Sequence, residues 1–199
     1  MKGMNTRFAA LAVVAAATLA GCVQGNSSPQ QLSPQEVAAR GKHLITVGDC
    51  SICHSPKIMT ERGPMVDSSM LLAGYRADSP VPPFPAEALA SGAWGAVANP
   101  EFTAWAGPWG ISFASNLTPD KFTGSGAWTE QQFIDAMRKG KHLGEGRSIM
   151  PPMPWEAIAA HTDADLKAIF AYLQSIKPVQ NLVPQPTPPP QPGQAAPGQ

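Results

Sequence analysis

Cys50-Ser51-Ile52-Cys53-His54 has the spacing C-x-x-C-H, and the rest of the chain is best interpreted outward from it. Two thiols three positions apart can each add to a vinyl group of one porphyrin. The histidine that follows is then placed to bind the iron through its imidazole. The motif therefore predicts one covalently attached haem c, bound through Cys50 and Cys53, with His54 as an iron ligand.

A C-x-x-C pair also occurs in redox dithiols and in zinc sites, and a short motif can arise by chance. A redox dithiol normally opens a helix within a βαβ pattern, and no such pattern surrounds residues 50–54. A structural zinc site needs four ligands, and the third cysteine of the chain, Cys22, has a different predicted role. Haem attachment is therefore the favoured interpretation, provided that the chain is exported.

The composition is that of one globular domain with many loops. The chain has 199 residues, of which 43% are hydrophobic and only 14% are charged, and it contains 22 prolines and 18 glycines. Its 14 basic residues equal its 14 acidic residues. Because there is no excess of positive charge, we expect no nucleic-acid partner.

The N-terminus has the features of an export signal. Lys2 and Arg7 precede a short apolar run that is of signal-peptide length and too short for a membrane span. The run ends in Leu19-Ala20-Gly21-Cys22, which resembles the lipobox of bacterial lipoproteins. Residues 1–21 are therefore predicted to be a lipoprotein signal peptide; an ordinary signal peptide with a stray cysteine and an uncleaved anchor are the alternatives.

Cys22 is the predicted lipidation site, so the chain is expected to be anchored to a membrane on the periplasmic side. Residues 22–32 are polar and are expected to form a flexible tether. Val23 stands where an aspartate would favour retention in the inner membrane, so the sorting pattern of such lipoproteins favours the outer membrane.

Helix-start and helix-stop signals precede the haem motif. Ser33-Pro34-Gln35-Glu36 combines a serine N-cap, a proline at the first position and a glutamate that closes a capping box, and Gly48 follows the expected end at Val47. Gly41 costs about 1 kcal/mol relative to alanine inside a helix. A glycine at this position is expected if another helix crosses the backbone of this helix closely.

Two further helices are predicted towards the C-terminus. Thr129 and Gln132 form a second capping box for a helix that Gly140 ends, and Thr162 caps a third helix over about 163–176. The inward-facing residues are expected to be Phe133, Ile134 and Met137 in the middle helix and Leu166, Ile169, Phe170, Leu173 and Ile176 in the last.

The remaining segments lack such periodicity. Residues 55–127 are predicted to be a long irregular insertion packed around the cofactor, with one short helix near 86–91 and with the four tryptophans up to Trp128 filling core. Residues 178–199 are rich in Pro, Gln, Gly and Ala and are predicted to be a disordered tail. Residues 33–177 are then the haem domain.

The second axial ligand is expected from a proline-stiffened loop, Met150-Pro151-Pro152-Met153-Pro154, because a stiff backbone can hold a weak thioether ligand against iron. Met153 is the preferred ligand, with Met150 and His142 as the main alternatives. The other candidates are His43, His161, Met59, Met65 and Met70.

Several stretches together resemble class I cytochromes c, and more closely the haem domains of bacterial alcohol, aldehyde and sugar-alcohol dehydrogenase cytochrome subunits. The stretches are Asp49–His54, Asn116-Leu117-Thr118-Pro119-Asp120, Gly126–Thr129, Gly140-Lys141-His142, Pro152-Met153-Pro154-Trp155 and Asp165–Leu173. The resemblance covers about residues 33–180. It implies a mostly α class I cytochrome c fold, with N-terminal, middle and C-terminal helices around one haem, and it assigns the iron–sulfur bond to Met153. Those subunits carry three C-x-x-C-H motifs and this chain has one, so a single-haem relative is expected.

Iron bound by His54 and Met153 has no open axial position, which leaves one-electron transfer as the expected chemistry. The sequence thus predicts a membrane-tethered periplasmic electron carrier rather than an enzyme. Its donor would be a dehydrogenase or a quinol-oxidising complex, and its acceptor an oxidase or reductase. The alternatives are a haem-bearing subunit of one dehydrogenase complex and, less favoured, a gas sensor in which Met153 dissociates.

Overall fold

The computed structural model describes residues 32–190. The predicted signal peptide, the predicted lipidation site Cys22, the predicted tether up to residue 31 and residues 191–199 lie outside the described residues. The helices are α1 (Pro34–Val47), α2 (Cys50–His54), α3 (Ala86–Ala90), α4 (Glu130–Lys139), α5 (Trp155–Ala159) and α6 (Asp163–Ser175). The strands are β1 (Lys57–Thr60), β2 (Gly63–Val66), β3 (Val97–Ala98), β4 (Ala104–Gly107) and β5 (Gly110–Phe113), and two 3-10 turns cover Ser68–Met70 and His142–Gly144. The mostly helical class is thus present together with small sheets.

The three principal helices begin where their capping signals predict. Ser33 and Glu36 form the reciprocal capping box of α1, and Thr129 and Gln132 form that of α4. Thr162 accepts a hydrogen bond from the backbone N–H of Asp165 at the start of α6. Each box supplies partners for N–H groups that have none inside the helix, which is why the sequence alone places these starts correctly.

Helices α1 and α6 cross at Gly41, as the sequence predicts. A Cβ atom at Gly41 would lie 1.8 Å from the carbonyl oxygen of Ala168 and 2.9 Å from the Cβ of Tyr172. Arg40 adds an ion pair with Asp165 across the same crossing, at 2.6 Å. The missing side chain therefore lets the two backbones touch.

Helix α4 packs beside α6 to complete the main core. The rings of Phe133 and Phe170 lie 5.4 Å apart between these helices. The expected inward-facing residues are confirmed as buried, except that Ile176 is only partly covered. The main core cluster consists of Ile45, Leu72, Phe133, Ile134, Ala136, Met137, Leu166, Ile169, Phe170 and Leu173.

The insertion over residues 55–127 is more regular than the sequence predicts. It contains the antiparallel hairpin β1–β2 and a three-stranded antiparallel sheet in the order β3-β4-β5, besides the expected short helix α3. The strands have only two to four residues, and all four residues of β5 are buried, so no alternating pattern is available to indicate a half-buried strand. A second cluster of Tyr75, Ala104, Ala106, Ile111 and Phe113 packs on this sheet.

The expectation that the insertion's tryptophans fill core is wrong for Trp94, which is 62% exposed. Trp105, Trp109 and Trp128 are each half-buried. Of these rings, Trp128 packs against the main core cluster from its periphery.

The predicted disordered tail does not begin at residue 178, because residues 178–190 pack along the domain. The side chain of Asn116 donates to the carbonyl of Val179 at 2.8 Å, and Ile111 and Thr187 exchange backbone hydrogen bonds at 2.8 and 2.9 Å. Asn181 is 4% exposed. Proline-rich composition reduces backbone hydrogen bonding within a segment, but it does not prevent extended chain from pairing with a sheet edge.

None of the helices in residues 32–190 has the length and apolar character that a membrane crossing requires.

Candidate haem-binding site

The C-x-x-C-H motif forms its own short helix, α2, directly after α1. The link is a sharp turn in which Asp49 adopts a left-handed conformation with φ of 47°. Cys50 and Cys53 are both free thiols and are half-buried. Burial raises the pKa of Cys50 and of Cys53. The attacking cysteine of a redox dithiol needs a lowered pKa, so this environment does not fit the redox alternative.

His54 is buried at the end of α2, and its Nδ1 lies 2.8 Å from the carbonyl oxygen of Ser115. A carbonyl can only accept a hydrogen bond, so the ring proton is on Nδ1 and Nε2 carries the free lone pair. Burial lowers the pKa of His54 and favours the neutral ring. A neutral imidazole whose second nitrogen is fixed by a carbonyl is the usual form of a metal-ligating histidine.

Lys57 closes the C-terminal end of α2. Its ammonium group donates to the carbonyl oxygens of Ile52 and, at 2.8 Å, of Ser55, and the residue is only 8% exposed. Glu101 accepts from the backbone N–H of Lys57 at 3.1 Å. A cation at a helix C-terminus pairs with the carbonyls that the helix leaves free, so Lys57 stabilises the motif helix.

Met153 lies in the Met loop, defined as residues 145–154 between the second 3-10 turn and α5. Met153 and Cys50 are both partly buried and both pack against the main core cluster. The loop lines a surface cleft of about 290 Å³. Cys50 and the predicted second ligand Met153 therefore both lie at the periphery of the main core cluster.

Gly140 contacts the Met loop near its middle and the residue that directly follows it. Its carbonyl accepts a hydrogen bond from the N–H of Ile149 at 2.8 Å. The indole of Trp155 lies so close that a Cβ at Gly140 would be 2.5 Å from the ring. The proline-stiffened loop is followed directly by α5, which begins at Trp155 with Pro154 at the N-cap position.

The alternative ligands occupy different surroundings. Met150 is half-buried and is not among the side chains that pack on the main core cluster. His142 is exposed, with its ring edge-on to Trp128 at 4.9 Å. The remaining candidates are placed as follows: His43, Met59 and Met65 are exposed, Met70 is half-buried, and His161 lies with Nδ1 3.2 Å from the carbonyl of Ile158.

The sequence could not assign two residues whose hydrogen bonds involve backbone carbonyls, Ser115 and Asn181. Ser115 contributes only its carbonyl, which every residue type could supply. Asn181 donates to the carbonyls of Ala73 and Tyr75, at 2.7 and 2.8 Å, from within the segment expected to be disordered. The carbonyl of His54 accepts from the N–H of Gly74 at 2.8 Å, so Asn181 supports the segment that contacts the motif.

The donor set formed by these residues fits a haem c. Two free thiols can form thioethers, a fixed imidazole offers Nε2, and a thioether lies in a supported loop. In residues 32–190, His, Cys, Asp and Glu side chains do not gather in threes as a metal-ion cluster.

Comparison with known proteins supports the same chemistry. The chain is 28% identical to the fructose dehydrogenase cytochrome subunit of Gluconobacter japonicus over 142 residues, which are 71% of the chain and 22% of that relative. It is thus similar to a cytochrome subunit of a bacterial dehydrogenase. It is also 36% identical to the cytochrome c subunit of the quinone alcohol dehydrogenase of Gluconobacter oxydans over 80 residues, 39% of the chain and 16% of that relative.

A third relative is the gluconate 2-dehydrogenase cytochrome c subunit of Pantoea cypripedii, 28% identical over 141 residues, which are 70% of the chain and 23% of the relative. The matched region covers less than a quarter of the length of each of these three curated relatives. No protein-family model matches the chain.

Proposed function

We propose that this protein is a one-electron carrier that holds a single haem c through Cys50 and Cys53, with His54 and Met153 as the axial ligands. The observation that carries the proposal is the His54–Ser115 hydrogen bond beside two free thiols, because it leaves Nε2 as a ready metal ligand. A bound haem c would supply reversible one-electron chemistry. The chain's own residues would attach it, orient the imidazole and shield the iron from water.

The comparisons favour an electron-transfer subunit of one particular dehydrogenase complex over an electron carrier that exchanges among several partner proteins. All three relatives described above are named as cytochrome subunits of dehydrogenases. The proposed donor is accordingly a dehydrogenase, and the chain itself would hold no substrate site. A quinol-oxidising donor, and an oxidase or reductase as acceptor, remain part of the broader carrier proposal.

The location proposed from the sequence is the periplasmic side of a membrane, preferably the outer membrane. Cleavage after residue 21 and lipidation of Cys22 would anchor the chain, and residues 22–32 would act as a tether. The cytochrome c domain would begin at residue 33 and include the packed segment up to residue 190. Export is also what covalent haem attachment at this motif requires. Labelling of the cells with a radioactive fatty acid, with Cys22→Ser as the negative control, tests the anchor.

The proposed haem and its ligands are tested on the purified mature protein. Its mass should exceed that of the polypeptide by one haem, and the reduced spectrum should be low-spin. The long-wavelength charge-transfer band that accompanies iron–methionine bonding should disappear in Met153→Ala and persist in Met150→Ala and His142→Ala. A mature protein without haem, or a five-coordinate iron, would overturn the proposal.

A further inference from the structure

The insertion contacts the Met loop through one serine of strand β5. The hydroxyl of Ser112 lies 2.5 Å from the carbonyl oxygen of Pro151, 39 residues further along the chain. We propose that Ser112 is a positioning residue for Met153: its hydrogen bond holds the middle of the Met loop so that the thioether stays on the iron. This inference rests on the proposed function and gives the insertion a specific part in it.

The contact is placed two residues before Met153. Pro151 and Pro152 restrict the backbone between the hydrogen bond and the methionine, because each proline ring fixes φ. A restraint on the carbonyl of Pro151 is therefore passed to Met153 through a stiff segment. The loop has two other supports, both at Gly140: the hydrogen bond from the Ile149 N–H to the Gly140 carbonyl, and the packing of Trp155, directly after the loop, on Gly140.

The hydroxyl of Ser112 is itself oriented by Trp109. The indole N–H of Trp109 donates to the Ser112 oxygen at 3.2 Å, which leaves the hydroxyl proton for the carbonyl of Pro151. A second carbonyl, that of Trp105, lies at 3.5 Å and is a much weaker acceptor. Ser112 is only 5% exposed, so water competes little for this pair of hydrogen bonds.

Strand β5 is a rigid base for this contact. On one side it pairs with β4, with Ser112 opposite Trp105. On the other side, the backbone of Ile111 pairs with that of Thr187. The outer edge of the strand is therefore closed by the C-terminal segment, and Ser112 cannot shift without breaking hydrogen bonds on both sides.

The same stretch of chain also contacts the opposite ligand. Ser115, three residues after Ser112, supplies the carbonyl that accepts from His54. One short segment, Ser112–Ser115, thus contacts both the histidine and the loop of the methionine. We infer that this segment keeps the two proposed ligands in a fixed relation to each other.

The test compares Ser112→Ala with the unchanged protein, both as full chains with haem attached. Loss of one buried hydrogen bond should increase the population with methionine off the iron about five- to tenfold. Three readouts report that population: the charge-transfer band should fade at lower temperature, carbon monoxide should bind the reduced protein more readily, and the reduction potential should fall. None of these is a turnover measurement.

Two further variants keep the result interpretable. Ser112→Thr retains the hydroxyl and should restore the charge-transfer band. Ser125→Ala removes an equally buried serine hydroxyl, which donates to the carbonyl of Leu117 at 2.9 Å, and should leave the methionine bound. If Ser112→Ala misfolds, Trp109→Phe removes the orienting N–H, together with the part of the indole that lies against Gly107, and should change the methionine-off population in the same direction.

The outcomes separate this inference from the proposed function. A haem-loaded protein whose methionine ligation is the same in Ser112→Ala, or falls equally in Ser125→Ala, would overturn the role of Ser112 and leave the electron carrier intact. Absence of haem from the unchanged protein would overturn both.

Discussion

The indole ring of Trp155 lies against the Cα of Gly140, so close that a Cβ there would be 2.5 Å from the ring. This contact joins the end of α4 to the end of the Met loop. Gly140 also adopts φ of 62°, a left-handed conformation that closes the helix. Two independent constraints thus converge on one glycine, and both bear on the loop that carries Met153.

Gly140→Ala should destabilise the protein by about 1–3 kcal/mol, because it combines left-handed strain with a clash against Trp155. It should also displace the Met loop and weaken the iron–methionine charge-transfer band. Gly92→Ala is the matched control, since Gly92 has φ of 68° and open space around its Cα. Equal loss of the band in both variants would show that the Trp155 contact is unimportant.

Gly41→Ala should lower the free energy of unfolding by about 1–3 kcal/mol, despite the gain in helix propensity, because the new methyl group would collide with the carbonyl of Ala168. Urea denaturation measures the change. Gly95→Ala, where nothing lies within 4 Å, should be close to neutral. A Gly41→Ala protein as stable as the original would mean that α1 and α6 do not meet at this point.

Asn181→Ala should destabilise the domain by about 2–3 kcal/mol. The Asn181 side chain donates hydrogen bonds to the carbonyls of Ala73 and Tyr75 and accepts one from the N–H of Ala77, and all three would be lost. Guanidinium denaturation gives the value. Gln180→Ala, at the exposed neighbouring position, should have little effect. If neither substitution changed the free energy of unfolding, the C-terminal segment would not be part of the folded domain.

Asp67 makes stability depend on pH in the acid range. Hydrogen bonds from Ser69 and from Arg76 lower the pKa of Asp67 from 3.8 to about 2. A carboxyl with a lowered pKa contributes its full stability above pH 3.8 and loses it as the pH falls through 2, a loss of about 1–2 kcal/mol. Asp67→Asn should therefore reduce stability at pH 6 and flatten its decline between pH 4 and 2.

Exposed Asp78→Asn provides the comparison for this titration. Its acid-unfolding curve should follow that of the unchanged protein. A curve for Asp67→Asn that is as steep as the original would place the acid sensitivity in another carboxyl group.

The helices and the insertion differ in how far local sequence specifies them. Ser33 with Glu36, and Thr129 with Gln132, carry their signals within four residues, so the helix starts could be predicted. The strands β3, β4 and β5 have no comparable signal, since they are short and are stabilised by the packing of distant residues such as Tyr75. The ordered conformation of residues 178–190 likewise depends on residues that are distant in the sequence, such as Asn116.

The sequence alone predicts the chemistry: two cysteines and a histidine at fixed spacing predict the haem, and a methionine between prolines predicts the second ligand. The tertiary structure adds the groups that support these side chains, which are the carbonyl of Ser115 on His54 and the hydroxyl of Ser112 on the Met loop. The reason is physical. A ligand must be one particular side chain, whereas a support can be any donor or acceptor that long-range packing brings within about 3 Å.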